Sequence, residues 1–418
     1  MERHLRADLP PGAGPGLIPA DSVEAATGGR RHFPAGPPPL ALYVHLPWCM
    51  RKCPYCDFNS HQAADPLPEQ AYVDALLADL DAQWHELGVG DCLPPRPLQS
   101  IFIGGGTPSL FSGTAVARLL DGVRGVCALA ADVEITLEAN PGAIDAGHFA
   151  AYRRAGVNRL SIGVQSLSAR HLEALGRIHD PAQARAAVAT ARAAGFENIN
   201  LDLMFGLPGQ DLAEAAADLE ALIALEPAHI SYYQLTLEPN TAFARAPPQM
   251  PSHDSLDAMQ EQGIARLAVA GYARYEVSAF ARDGRRCRHN LNYWRFGDYL
   301  GIGAGAHSKL TDIATGGVRR RVARRSPRAY LASLHNESSR SLLDDVDLVL
   351  EFALNALRLT DGVEASLFTA RTGLPAARLS TARSQMEAIG LLEPDPSRLV
   401  ATPLGQRFLN DLVAGFAE

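Results

Sequence analysis

Tyr43-Val-His-Leu-Pro-Trp-Cys49-Met-Arg-Lys-Cys53-Pro-Tyr-Cys56-Asp-Phe58 ends an apolar run with three cysteines in the spacing C-x₃-C-x₂-C. Short loops between thiolates lower the entropic cost of wrapping the chain around a metal or cluster. Structural zinc takes four ligands, and iron–sulfur clusters usually take four thiolates, so a trio leaves one metal position open. Zinc completed by His45 or His61 is one reading; a cluster with a free iron site is the other.

Working outward, the 418-residue chain exceeds one ordinary core and predicts a large domain followed by a smaller one. Its net charge of −8 argues against a nucleic-acid partner, which needs clustered Lys and Arg to displace counterions. Six cysteines, half of them in one cluster, do not form a secreted disulfide framework. With no signal-peptide core and no long apolar run, the expected location is the cytoplasm, with peripheral contact at the inner face of a membrane left open.

Residues 1–38 are rich in Pro, Gly and Ala and are read as a disordered tail. Over 39–280, β-rich runs begin at Leu40, Leu98, Val133, Arg159, Asn198 and Ile230. Between them lie stretches of helical period, Gln70–Leu87, Ala115–Cys127, Ala182–Ala194 and Leu212–Leu225. Repeated βα units imply an α/β fold with a parallel sheet, closed as a barrel or open and doubly wound. Both arrangements place ligands at the C-terminal ends of the strands. Residues 281–325 read as a linking region with an aromatic stretch, a Gly301-x-Gly-x-Gly run and a basic loop, Arg319–Arg325. Residues 326–418 read as helices with a short hairpin, a winged-helix-like module.

The cysteine spacing, with Tyr55 before the last cysteine, resembles the signature of the radical SAM superfamily. That resemblance implies a partial (βα)₆ TIM-like barrel holding a 4Fe-4S cluster on Cys49, Cys53 and Cys56, with S-adenosylmethionine on the fourth iron. Gly104-Gly-Gly-Thr-Pro, Glu138, Gln165, Arg177 and Asp202, each just after a strand, narrow it to the oxygen-independent coproporphyrinogen III oxidase-like (HemN/HemW) family. By that resemblance Tyr43, Gly105 and Glu138 touch the cluster-bound cofactor, and Tyr55, Gly106, Thr107, Gln165, Arg177 and Asp202 match contacts to a second S-adenosylmethionine. Whether two molecules bind is open.

Within the family, the oxidase branch has a further cysteine where this chain has Phe58. Phe58 and His289-Asn-Leu-Asn-Tyr-Trp294 resemble the heme-chaperone branch. The resemblance implies heme binding and delivery to apo-hemoproteins of the respiratory chain, with a homodimer as a further partner state. The alternative is radical decarboxylation of coproporphyrinogen III, so whether the chain is an enzyme stays open at this point. Histidine is a good axial iron ligand and aromatic rings pack on a porphyrin, so His289, Asn290, Tyr293, Trp294 and His307 are the heme candidates.

Overall fold

The structure is a computed structural model that describes residues 31–86, 96–143, 146–333 and 336–417. Most of the tail expected over 1–38, up to residue 30, lies outside the described residues, as does the Leu87 end of the first expected helix. Residues 31–38 do not run free. Phe33 is 7% exposed inside a core cluster, and Arg31 forms an ion pair with Asp345 at 2.6 Å.

Seven parallel strands form the centre of one twelve-stranded sheet. In spatial order they are Asp298–Ile302, Leu40–Leu46, Leu98–Gly105, Leu129–Ala139, Arg159–Gln165, Asn198–Phe205 and His229–Gln234. Antiparallel strands extend both ends: Ala279–Ala281 and Ala273–Glu276 on one side, His307–Asp312, Gly317–Ala323 and Glu337–Leu342 on the other. The order is linear, so the sheet curls without closing.

A strand presents alternate side chains to opposite faces. Leu40, Leu42, Val44 and Leu46 join Ile101, Ile103, Leu137, Ile162 and Leu201 in the main core, together with buried residues of the helices Glu69–Glu86, Gly113–Val126, Pro181–Ala193 and Leu212–Ile223. The other face carries Tyr43, Phe102, Glu138, Asn200 and Asp202. Oil outside and polar groups inside are the layout of a partial barrel, and a doubly wound sheet would need apolar side chains on both faces.

The seventh parallel strand, Asp298–Ile302, falls in the stretch read as a link. It lies more than two hundred residues after its neighbour Leu40–Leu46, and its glycine and aromatic content hides the apolar run. The basic run is also not a loop. It forms the strand Gly317–Ala323, where Arg319 pairs with Asp312, Arg320 with Glu351, and Arg321 with Asp79 and Glu337.

The C-terminal elements are the helices Asp345–Ala356, Ser366–Thr372, Ser380–Ala388, Pro403–Arg407 and Leu409–Ala414, with a short ribbon in which Val363–Glu364 pairs antiparallel with Arg398–Leu399. They share a core cluster with Trp294, Phe296 and Val318. At the sheet's extension, fully buried Asp298 accepts from Arg96 at 2.7 Å, Lys309 at 2.9 Å, and both the amide and hydroxyl of Thr311 at 2.9 Å. Such a charge is tolerable because every one of these donors is aimed at it. Asp298→Ala should cost about 3–5 kcal/mol in urea unfolding by stranding Lys309 and Arg96, and Asp298→Ala with Lys309→Met should recover part of the loss.

Candidate functional site

The first strand runs through Pro47 into the cysteine loop, which returns as His61–Gln62 pairs in parallel with Trp48–Cys49. The His61 amide donates to the Pro47 carbonyl at 2.7 Å and the Ala63 amide to the Cys49 carbonyl at 2.8 Å, so the loop is closed at its base. Cys49, Cys53 and Cys56 are free thiols and half-buried. Burial raises the Cys49 and Cys56 thiols, while the hydroxyls of Thr107 and Ser60 beside Cys49, and of Ser60 beside Cys56, work against it. Arg177 Nη1 lies 3.6 Å from Cys53 Sγ. The thiolate is the form that binds iron.

These residues fit a cluster on three thiolates. His45 does not fit the zinc alternative, because both its ring nitrogens are engaged, Nδ1 with the Tyr43 hydroxyl at 2.9 Å and Nε2 with the Asn59 carbonyl at 3.0 Å. Among the described residues no three His, Cys, Asp or Glu side chains converge on one metal ion. A cluster would need no such convergence, since Cys49, Cys53 and Cys56 would each hold a different iron.

The glycine run beside the loop is built for close approach, but the neighbours it admits are protein. A Cβ on Gly104 would lie 2.9 Å from Glu138 Oε2, one on Gly105 2.6 Å from the His45 ring, and one on Gly106 2.6 Å from the Trp48 carbonyl. Gly105 has φ +116 and donates its amide to Glu138 Oε2 at 3.0 Å. The Thr107 amide donates to the Trp48 carbonyl at 2.7 Å, bringing its side chain to Cys49.

Glu138 and Asp202 share the polar face. Burial, then the charge of Asp202, pushes Glu138 up to about 7, and burial also raises Asp202, whose Oδ1 accepts from Asn200 at 2.8 Å. Gln165 adopts φ +67, a strained conformation for a side chain of its size, and its Oε1 accepts from the Tyr233 hydroxyl at 2.8 Å. Arg177 Nη2 donates to the Gly163 carbonyl at 2.9 Å, and Tyr55 packs near Phe243. The nine expected cofactor residues therefore gather around the loop and the strand ends. Asn59 and Tyr233 join them and were not singled out in the sequence; His45, named there only as a zinc ligand, joins them too. The available signal for His45 was its i+2 spacing from Tyr43, which puts both on one face.

The heme candidates do not gather in the same way. His289 is 2% exposed on the helix Arg288–Trp294, with its ring stacked on Phe102 and Nδ1 3.0 Å from the Ser100 hydroxyl. Burial, then the charge of Arg159, lowers it to about 3, so it is neutral. Tyr293 packs edge-on between His289 and Tyr299. Trp294 sits in the second core under Arg358, away from the polar face. Asn290 and His307 are partly exposed.

Comparison with known proteins follows this geometry. Residues 43–222 match the model of the radical SAM superfamily, and residues 343–408 match the HemN C-terminal domain. The chain is thus a radical SAM protein with a HemN-type C-terminal domain. It is 48% identical over 379 residues to the heme chaperone HemW of Escherichia coli, covering 91% of this chain and 98% of that one. It is 38% identical to the heme chaperone HemW of Mycobacterium tuberculosis over 390 residues, 90% and 94% of the two chains. The chain belongs to the HemW family. The solved structure of Escherichia coli coproporphyrinogen III oxidase, HemN, described as a radical SAM enzyme, superposes with TM-score 0.75 over 91% of this chain and 90% of that one at 23% identity, a likeness of fold.

Glu138 makes a testable pH dependence. Folded, its carboxyl keeps the proton to about 7, against an ordinary value of 4.5. The folded state binds more protons in that window, so this group's contribution to stability falls as pH rises through it. Glu138→Gln should flatten the fall between about pH 5 and 7 and gain up to roughly 3 kcal/mol at pH 8 in urea unfolding.

Proposed function

We propose that this chain is a heme chaperone that binds heme, a 4Fe-4S cluster and S-adenosylmethionine, and delivers heme to apo-hemoproteins of the respiratory chain. The radical SAM family implies the cluster and S-adenosylmethionine. Cys49, Cys53 and Cys56 would hold the cluster. Tyr43, Gly105 and Glu138 would contact the S-adenosylmethionine on its open iron, with Tyr55, Gly106, Thr107, Gln165, Arg177 and Asp202 lining the remainder. The single observation that carries the reading is the near full-length similarity to relatives named heme chaperone. Phe58, half-exposed at the loop's edge where the oxidase branch has a cysteine, supports it.

Of the two candidate heme-ligating histidines, His307 is the accessible one, and ligation by His289 requires the helix Arg288–Trp294 to leave Ser100 and Phe102. A homodimer and contact with the inner face of a membrane belong to this proposal. Among the described residues no helix is long and apolar enough to cross a membrane.

The second reading, oxidation of coproporphyrinogen III to protoporphyrinogen IX, draws support from the full set of cofactor-matching residues around the loop. Heme titration of the anaerobically reconstituted protein should shift the Soret band; no shift sinks the chaperone reading. With S-adenosylmethionine and reductant, coproporphyrinogen III should give no protoporphyrinogen IX. Its formation, coupled to 5′-deoxyadenosine, would establish the oxidase instead. Cys53→Ser should lose the cluster's visible absorbance.

A further inference from the structure

The Gly301-x-Gly-x-Gly run has no cofactor role in the function proposed above, yet each glycine in it is sterically required. A Cβ on Gly301 would fall 1.9 Å from the His307 carbonyl oxygen. On Gly303, at φ +105, it would fall 2.3 Å from the His45 carbonyl oxygen, and on Gly305, at φ +80, 2.5 Å from Asn59 Nδ2. Two of the three contacts are therefore with the first strand and the return limb of the cysteine loop. Asn59, three residues past Cys56, reaches into this turn and donates from Nδ2 to the Ala304 and Arg325 carbonyls, both at 2.8 Å.

The backbone around it is tied as tightly. The Gly305 amide donates to the Arg324 carbonyl at 2.9 Å, the Ala323 amide to the Ala306 carbonyl at 2.8 Å, and the Arg324 amide to the Asn336 carbonyl at 2.8 Å. On the loop side, His45 Nε2 donates to the Asn59 carbonyl at 3.0 Å, and His45 Nδ1 accepts from the Tyr43 hydroxyl at 2.9 Å. Lys52 donates to the Phe58 carbonyl at 3.1 Å, fastening the limb to the segment between Cys49 and Cys53. One side chain thus joins the cysteine loop to the turn 303–306 and to the end of the strand Gly317–Ala323. That strand in turn is bonded to the Asp345–Ala356 helix through Arg320 and Glu351 at 2.5 Å.

We propose that Asn59 is a positioning residue, a latch through which the antiparallel extension of the sheet sets the geometry of the cysteine loop and through which cluster occupancy is felt in that extension. It rests on the cluster reading above for its second half only. The first half concerns contacts within the chain. In this role Asn59 acts through contacts within the chain, holding the limb that carries Cys56.

Hydrogen exchange at the amides of Gly305 and Ala323 reads the latch directly. In the cluster-free protein, Asn59→Ala should speed their exchange by about tenfold, the effect of losing one to two hydrogen bonds. Asn59→Asp, of the same size but without the donors, should do the same. Gly305→Ala displaces the Asn59 side chain, so its effect on these amides should be smaller in the Asn59→Ala background than in the wild type, a non-additive cycle. Cluster reconstitution should slow exchange at both amides in the wild type and leave them unchanged in Asn59→Asp. At equal iron content, the reduced cluster of Asn59→Asp should show an altered EPR spectrum. Wild-type exchange rates in both Asn59 variants, or an unaltered EPR spectrum, would overturn the latch. Failure of the wild type to load a cluster would instead strike the function proposed above, and the cluster-free comparison would still decide the latch.

Discussion

The two-residue period of a β-strand is the constraint on which the rest of this structure depends. Leu40, Leu42, Val44 and Leu46 face the helices, while Tyr43 and His45, on the intervening positions, face the polar interior. The same alternation holds where Ile101 and Ile103 flank Phe102, and where Asn200 and Asp202 flank Leu201. A one-residue slip of the first strand would carry its leucines into the site and its tyrosine into the core. Burial of the apolar face thus fixes the register that places the chemistry, and the cysteine loop inherits its position from the strand that feeds it.

A second constraint is close packing around that loop. Glycines 104, 105 and 106 lie against Glu138, His45 and Trp48, and Gly303 and Gly305 lie against His45 and Asn59. Two glycine-rich segments two hundred residues apart therefore grip the same few side chains. An added Cβ at any of these places meets an atom well inside contact distance, and at Gly105, Gly303 and Gly305 it also meets an unfavourable φ. Glu138 and His289 are themselves buried, which is why Glu138 holds its proton to about 7 and His289 is neutral.

Much of this was legible in the chain. The strand–helix alternation, the cysteine spacing and the polar residues after the strands are local patterns, and those polar residues lie at the strand ends and on the one polar face of the sheet. The pairing of Asp298–Ile302 with Leu40–Leu46 was not legible, since parallel pairing across so long a separation leaves no local trace. Nor was the fate of Arg319, Arg320 and Arg321, which look like a free basic run until the strand Gly317–Ala323 sets each opposite a carboxylate.

The amino-acid sequence by itself determined the class of protein, because three thiols at fixed short spacing and glycines at strand ends are demands that a neighbouring residue cannot alter. Tertiary structure alone decided what the second half of the chain does for the first. It turned the Gly301–Gly305 run into a seat for Asn59, and it divided the aromatic motif, burying Trp294 in the second core and stacking His289 on Phe102. Those outcomes rest on contacts between residues far apart in the chain, whose partners are chosen by packing of the whole sheet rather than by any local preference.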